Sequence, residues 1–379
     1  MRKIVRKSFH FDFVVLTLSY NQPRFCLNTI WNSNATTFAN QSLADTRPFY
    51  IFVNSNNSIY ISNGEIHIWQ NENHLNPTKT IASNLSNWYS IFVTTNGDIY
   101  LHNTNTSHVD KWTVENETSI LVWNITSACP RLFIDIYENL YCSMFDKHRV
   151  DKKWLNGTAA VVAGTGVYGP ESDRLCFPGG IFVDINLDLY VADEWNNRIQ
   201  LFRLNQRNGI TVAGKGSAEV TIELNTPTGI VLDGDRHLFI VDFGNHRIIG
   251  SDENGFRCIF GCSGEKGSTN DKLSLPSTMS FDSYGNIYVV DSDNHRIQKI
   301  VKNNICGKKI IFNNLVHLFL YSIETREFAQ TNFSSNLSVN SHRCNHLKNC
   351  RLLNYYCEII EIHTREEGDY TITSPSTRD

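Results

Sequence analysis

The sequence predicts an all-β protein folded as a six-bladed β-propeller of four-stranded blades, its ring closed by an N-terminal strand. Three observations point there. One unit recurs six times, each copy reads as short strands joined by tight turns, and the last copy stops one strand short.

The clearest copy runs from Pro178 to Phe202 (PGGIFVDINLDLYVADEWNNRIQLF). A second runs from Pro227 to Ile248 and a third from Pro276 to Ile300. Asp184, Asp233 and Asp282 are spaced 49 residues apart, as are Tyr190, Phe239 and Tyr288. Three looser copies precede these, at Tyr50 to Trp69, Ser90 to Trp112 and Arg131 to Val150. In all six, the residue closing the first apolar run (Asn54, Thr94, Asp135, Asp184, Asp233, Asp282) sits six positions before an aromatic. The repeats fall near 48–83, 87–126, 129–164, 178–214, 227–262 and 276–304.

Within a copy, Ile181-Phe182-Val183 and Leu189-Tyr190-Val191 are short apolar runs of β-formers. A tight turn joins them, marked by Asn96-Gly97 in the second copy. Arg198 to Phe202 predicts a third strand and Gly209 to Ala213 a fourth. Gly164, Gly214 and Gly261 each open the loop to the next copy. Copy six ends after its third strand, near Val301. Cys26 to Ala39 has strand-like content and is expected to supply the missing outer strand, which removes an exposed edge. That pairing would set Cys26 against Cys306. A bridge there would close a loop of most of the chain, worth about 4–5 kcal/mol in the chain-entropy model. Cys258 and Cys262 lie close in one strand or turn. Cys129 can meet Cys142 across a hairpin, with Cys176 as a competitor.

Pro-x-Gly-Ile-x-Val-Asp, then Tyr-Val-Ala-Asp, then Asn-x-Arg-Ile resembles the NHL repeat, over about Tyr50 to Ile300. The first copy has a turn three residues shorter and lacks the Arg. His108 stands in the Arg place of the second, and Met144 in the Asp place of the third. The resemblance implies a propeller that presents loops to a partner. It also raises two other readings. Peptide α-amidating lyases, and lactonases, are similar propellers that work with a channel-bound metal. Intracellular tripartite-motif proteins carry NHL propellers that bind RNA.

The first strands, which line the channel, read YIFVN, SIFVT, RLFID, GIFVD, GIVLD and TMSFD and contain no His, so the lyase reading lacks its ligands. The acids Asp135, Asp184, Asp233 and Asp282 are the candidate metal ligands, with calcium as the cation such a ring would take. The competing reading makes them hairpin caps. No other cofactor is expected. Asp193, Asn196 and Arg198 recur as Asp242, Asn245 and Arg247 and as Asp291, Asn294 and Arg296. A function confined to one site does not appear in three copies, so this motif reads as structural. His246 and His295 are two histidines on neighbouring blades, short of the three or four ligands of a zinc site. Gly164 to Gly169 is Gly-rich but joins two blades rather than opening a helix.

Charged residues make up 19% of the chain, and its net charge is −4. Residues 48–304 hold 20 Lys and Arg against 28 Asp and Glu, a net −8, which argues against nucleic acid. The chain has ten cysteines, and sequons at Asn34, Asn40, Asn56, Asn84, Asn105, Asn116, Asn124 and Asn156, with two more at Asn332 and Asn336. They suggest a secreted glycoprotein; a cytoplasmic protein is the alternative. Residues 1–25 form an ill-defined N-terminus. Arg2, Lys3, Arg6 and Lys7 precede an apolar stretch, Phe13 to Leu18, that is short for a signal sequence. No apolar run reaches membrane-spanning length. Residues 307–379 form a non-repeating extension; its Cys344, His346, Cys350 and Cys357 match no zinc spacing. The expectation is a non-catalytic scaffold whose inter-blade loops, Thr165–Phe177, Lys215–Thr226 and Ser263–Leu275, contact a protein or glycan.

Overall fold

In the computed structural model, the described residues are 18–303 except 27–28, 41–47, 49, 71–75, 82–89, 104–107, 114–117, 126 and 219–220, plus 15–16, 317–318, 362–364 and 370–372. The chain divides into a unit Met1–Leu320 and a unit Tyr321–Asp379. In the second, Ile362–Thr364 pairs antiparallel with Tyr370–Ile372. Cys344, His346, Cys350 and Cys357 lie outside the described residues.

The first unit contains six four-stranded antiparallel sheets, five of them meanders from an inner to an outer strand. In blade 4 the order is Pro178–Val183, Leu189–Asp193, Arg198–Phe202, Ile210–Gly214. The apolar runs make the two inner strands because both faces of each blade are covered by neighbours. The second strands are buried at every residue in blades 1 and 3 to 6, for example Leu238–Asp242 and Ile287–Asp291. A continuous apolar run with β-formers suits that double burial.

Blade 6 takes its outer strand from the N-terminus. Thr36–Ala39 pairs antiparallel with Arg296–Ile300, with Thr36 opposite Lys299 and Ala39 opposite Ile297. Trp31 bridges Lys302, and its indole donates to the Gly285 carbonyl at 3.0 Å. Cys26 is disulfide-bonded; Cys306 lies outside the described residues. Cys129, just before the first strand of blade 3, pairs with Cys142 in the second, and Cys258 pairs with Cys262. Cys176, the competitor, is a free thiol.

The Gly of Pro-x-Gly has a packing cause. A Cβ on Gly180 would lie 2.7 Å from the Thr228 carbonyl of the next blade's inner strand, so only glycine lets the two strands approach.

Candidate functional site

Antiparallel meanders place the turns after strands two, and the inter-blade loops, on one face of the disc. The turns after strands one and three lie on the other. Three places on this frame bear on function: the channel, the repeated Asp-Asn-Arg positions and the loop face.

The channel is filled. Phe52, Phe92, Phe133 and Phe182 hold the same slot in four inner strands, and neighbouring rings lie 5.0–5.2 Å apart. Tyr20 sits against three of them, with centroids at 5.3 Å from Phe133 and Phe182 and 6.2 Å from Phe92. Its hydroxyl donates to the Val183 carbonyl, and burial, with Asp184 and Asp135 nearby, pushes the phenol far above its usual range. The flanking backbone is tied down too. Asn21 donates to the Asn54 and Phe281 carbonyls, Gln22 to the Asp233 carbonyl, and the Gly234 N–H donates to the Pro23 carbonyl. Residues 19–24 therefore cross the channel on the face of the first turns. They leave a cavity of about 50 Å³ lined by Tyr50, Arg131, Thr278 and the phenylalanines. That is room for a few waters, against roughly 300–1,000 Å³ for a pocket that takes an organic ligand.

The four candidate acids close the first turns. Asp184 Oδ1 accepts from the Asn186 and Asp188 N–H groups at 2.9 and 3.0 Å, and Asp135, Asp233 and Asp282 repeat the pattern. Three of the second oxygens accept from local side chains, Tyr141 and Lys152 at Asp135, His237 at Asp233 and Asn286 at Asp282, while Asp184 Oδ2 has no hydrogen-bond partner among the described residues and faces Arg236 of the next blade at 3.5 Å. Burial raises the carboxyls of Asp184 and Asp233. The hairpin-cap geometry is thus present at all four. Among the described residues, no three His, Cys, Asp or Glu side chains converge as a metal site.

The repeated motif fixes the loops. Asp193 Oδ2 accepts from Arg198 Nε at 2.7 Å and from Asn196 at 2.8 Å, while Oδ1 accepts the Cys176 N–H. The rest of the guanidinium donates to the carbonyls of Pro170, Glu171 and Arg174. Asp291, Asn294 and Arg296 repeat this against Ser268, Thr269 and Lys272, and Asp242, Asn245 and Arg247 repeat its core. Each motif therefore anchors the inter-blade loop before it as well as its own bend.

The slot of His246 has a related duty. His148, Asn197 and His246 all adopt left-handed backbone, with φ of 52–55°. Their side chains accept the N–H of Phe177, Thr226 and Leu275 in the next inter-blade loop at 2.8–3.2 Å. An acceptor on a short side chain serves this latch, which explains why Asn and His interchange there. The sequence read His246 only as a weak metal signal.

On the loop face, an aromatic ridge joins blades 3 and 4. Phe177 packs on Phe145 at 5.0 Å, His148 at 4.6 Å and Trp195 at 4.5 Å, and Tyr168 packs on His148 at 5.7 Å. Yet Tyr168 is 68% exposed, Trp195 63% and Val167 54%. Tyr168 and Phe177 fall in the loop Thr165–Phe177 singled out from sequence. Of the sequon residues, Asn34, Asn40, Asn56, Asn124 and Asn156 are exposed; Asn84, Asn105, Asn116, Asn332 and Asn336 lie outside the described residues.

Residues 224–250 and 273–300 match the NHL repeat family model. The chain is accordingly a six-bladed β-propeller carrying NHL repeats. Among solved structures, it is similar to a protein of unknown function from Bacteroides thetaiotaomicron (13% identity, 77% of this chain and 76% of that one, TM-score 0.56). It is also similar to an inactive virginiamycin B lyase from Staphylococcus aureus solved with quinupristin (14%, 69% and 97%, TM-score 0.50). A third is a structure described as a putative gluconolactonase (12%, 76% and 98%, TM-score 0.50). At these identities the likeness is one of fold. No curated protein matches the sequence.

Proposed function

We propose that this protein is an extracellular binding module that engages a protein or glycan through its loop face. The filled channel carries the reading. Tyr20 and the phenylalanines occupy the space in which a propeller enzyme would take its substrate, so a ligand meets the outside of the disc. The ridge at Tyr168, Phe177 and Trp195 suits that task, since large aromatic anchors held by their neighbours dominate binding energy at interfaces. The disulfides Cys129–Cys142 and Cys258–Cys262 accord with an oxidising compartment.

The test is a screen of extracellular proteins and a glycan array with the intact chain and with Trp195→Ala and Tyr168→Ala. A ligand of the ridge weakens by about 2 kcal/mol or more, roughly thirtyfold, on Trp195→Ala. Ligands that bind all forms equally would move the site elsewhere. Metal analysis of the same preparation addresses the remaining enzyme reading: a stoichiometric cation lost on Asp184→Asn would restore the channel as the site.

A further inference from the structure

We infer that Asn124 and Asn156 carry N-linked glycans that cover the open outer edges of blades 2 and 3. The outer strand of blade 2, Thr118–Asn124 (TSILVWN), is the longest of the six at seven residues. It contains no charge and no proline, and Ile120 and Leu121 are 59% and 52% exposed. The outer strand of blade 3, Ala159–Ala163 (AAVVA), is also uncharged, with Val161 46% exposed. Among the described residues, each pairs with a strand on its inner side only. A long, apolar, uncharged edge is a template for pairing with another chain, and soluble proteins blunt such edges. The outer strand of blade 5, Gly255–Phe260, has that protection from Arg257.

Placement of the sequons supplies the protection in the other two. Asn124 is the last residue of its strand, and Asn156 lies three residues before its own; both side chains are exposed. At about 3.3 Å per residue, Ile120 lies roughly 13 Å along the strand from Asn124, and Val161 follows five residues after Asn156, which sits in the turn that opens its strand. A branched oligosaccharide at either position hangs over those apolar residues and bars a second strand. In the modification the Asn side-chain nitrogen displaces the pyrophosphate of a lipid-pyrophosphate-linked oligosaccharide. A C–N bond forms at the anomeric carbon as its C–O bond breaks, and the amide proton leaves with the pyrophosphate.

The inference rests on the extracellular reading above, and its test separates the two. The full chain is secreted from a glycosylating eukaryotic host, and glycan occupancy is mapped by peptide mass spectrometry. Asn124→Gln/Asn156→Gln is then compared with the same variant carrying Ile120→Lys and Val161→Lys, by light scattering over rising concentration. Expected are occupied Asn124 and Asn156, a monomeric native protein, at least a doubling of mean mass in the double Gln variant, and return to monomer with the lysines. Glycans elsewhere but none at Asn124 and Asn156 would overturn this inference alone. So would a double Gln variant that stays monomeric, or an assembly the lysines leave intact. A chain with bare sequons throughout and free thiols would overturn the extracellular reading together with it.

Discussion

Burial at single residues sets measurable costs. Asp193 is fully buried and Arg198 nearly so, and they form a charge pair at 2.7 Å. Arg198→Ala leaves the carboxylate unpaired, for an expected loss of about 3–5 kcal/mol in urea unfolding. Arg247, which is more exposed, should cost less in the same experiment. Two groups give stability opposite pH slopes. Glu194 lies against Gly179 at the loop-face mouth of the channel, and burial raises its carboxyl to about 8. The native state holds that proton more tightly than the unfolded chain, so stability falls as pH rises from about 4.5 to about 8. Glu194→Gln should flatten that limb. His102 is buried in blade 2 and lowered to about 4. Its native state excludes the proton, so stability falls as pH drops from about 6.5 to about 4, and His102→Phe should remove that loss. Unfolding free energies across pH, compared with the unsubstituted chain, separate the two.

Single elements show where the sequence is informative. Strands, first turns and the closing strand were readable because their signals are local or repeat in register. An apolar run, an Asp six before an aromatic and a blade one strand short all appear in the text of the chain. The hairpin caps were readable for the same reason. The segment 19–24 was not. Ser19 to Arg24 has no period, and its bonds reach Asn54, Val183, Asp233 and Phe281, up to 260 residues away. One trace of it existed: the Phe shared by four inner strands at Phe52, Phe92, Phe133 and Phe182 marks an aromatic lining that needs something to pack on. The loop-face ridge was half legible, since its loop was identified but Trp195 lies in a turn of the structural motif. The elements also rank the crosslinks. Cys129–Cys142 spans 13 residues between fully buried sulfurs, so Cys129→Ala/Cys142→Ala should cost about 3 kcal/mol in thermal or urea unfolding. Cys258–Cys262 spans four residues and should contribute less.

For the whole molecule, ring and channel depend on different parts of the N-terminal segment. A chain starting at residue 26 keeps Thr36–Ala39 and its ring but loses Tyr20 from the channel. Loss of such an aromatic is comparable to a Phe→Ala change in a core, about 3–5 kcal/mol. A chain starting at residue 41 loses the outer strand of blade 6 and exposes Arg296–Ile300. Calorimetry should show a lowered but single transition for the first and no cooperative transition for the second. A single transition of unchanged midpoint in the shorter chain would refute the closing role of Thr36–Ala39.

The pairing of Thr36 with Lys299 also places a clock on synthesis. The strand that completes the disc is made before the blades it closes, and its partner follows 263 residues later. At roughly 5–20 residues per second, the early strand waits about 15–50 s for its place to exist. During that interval Thr36–Ala39 has no native contacts in blade 6, and partly built blades present raw edges to the surrounding medium. The nascent chain is therefore expected to need a holding chaperone until residue 303 has emerged, and a slowed ribosome should lengthen that dependence.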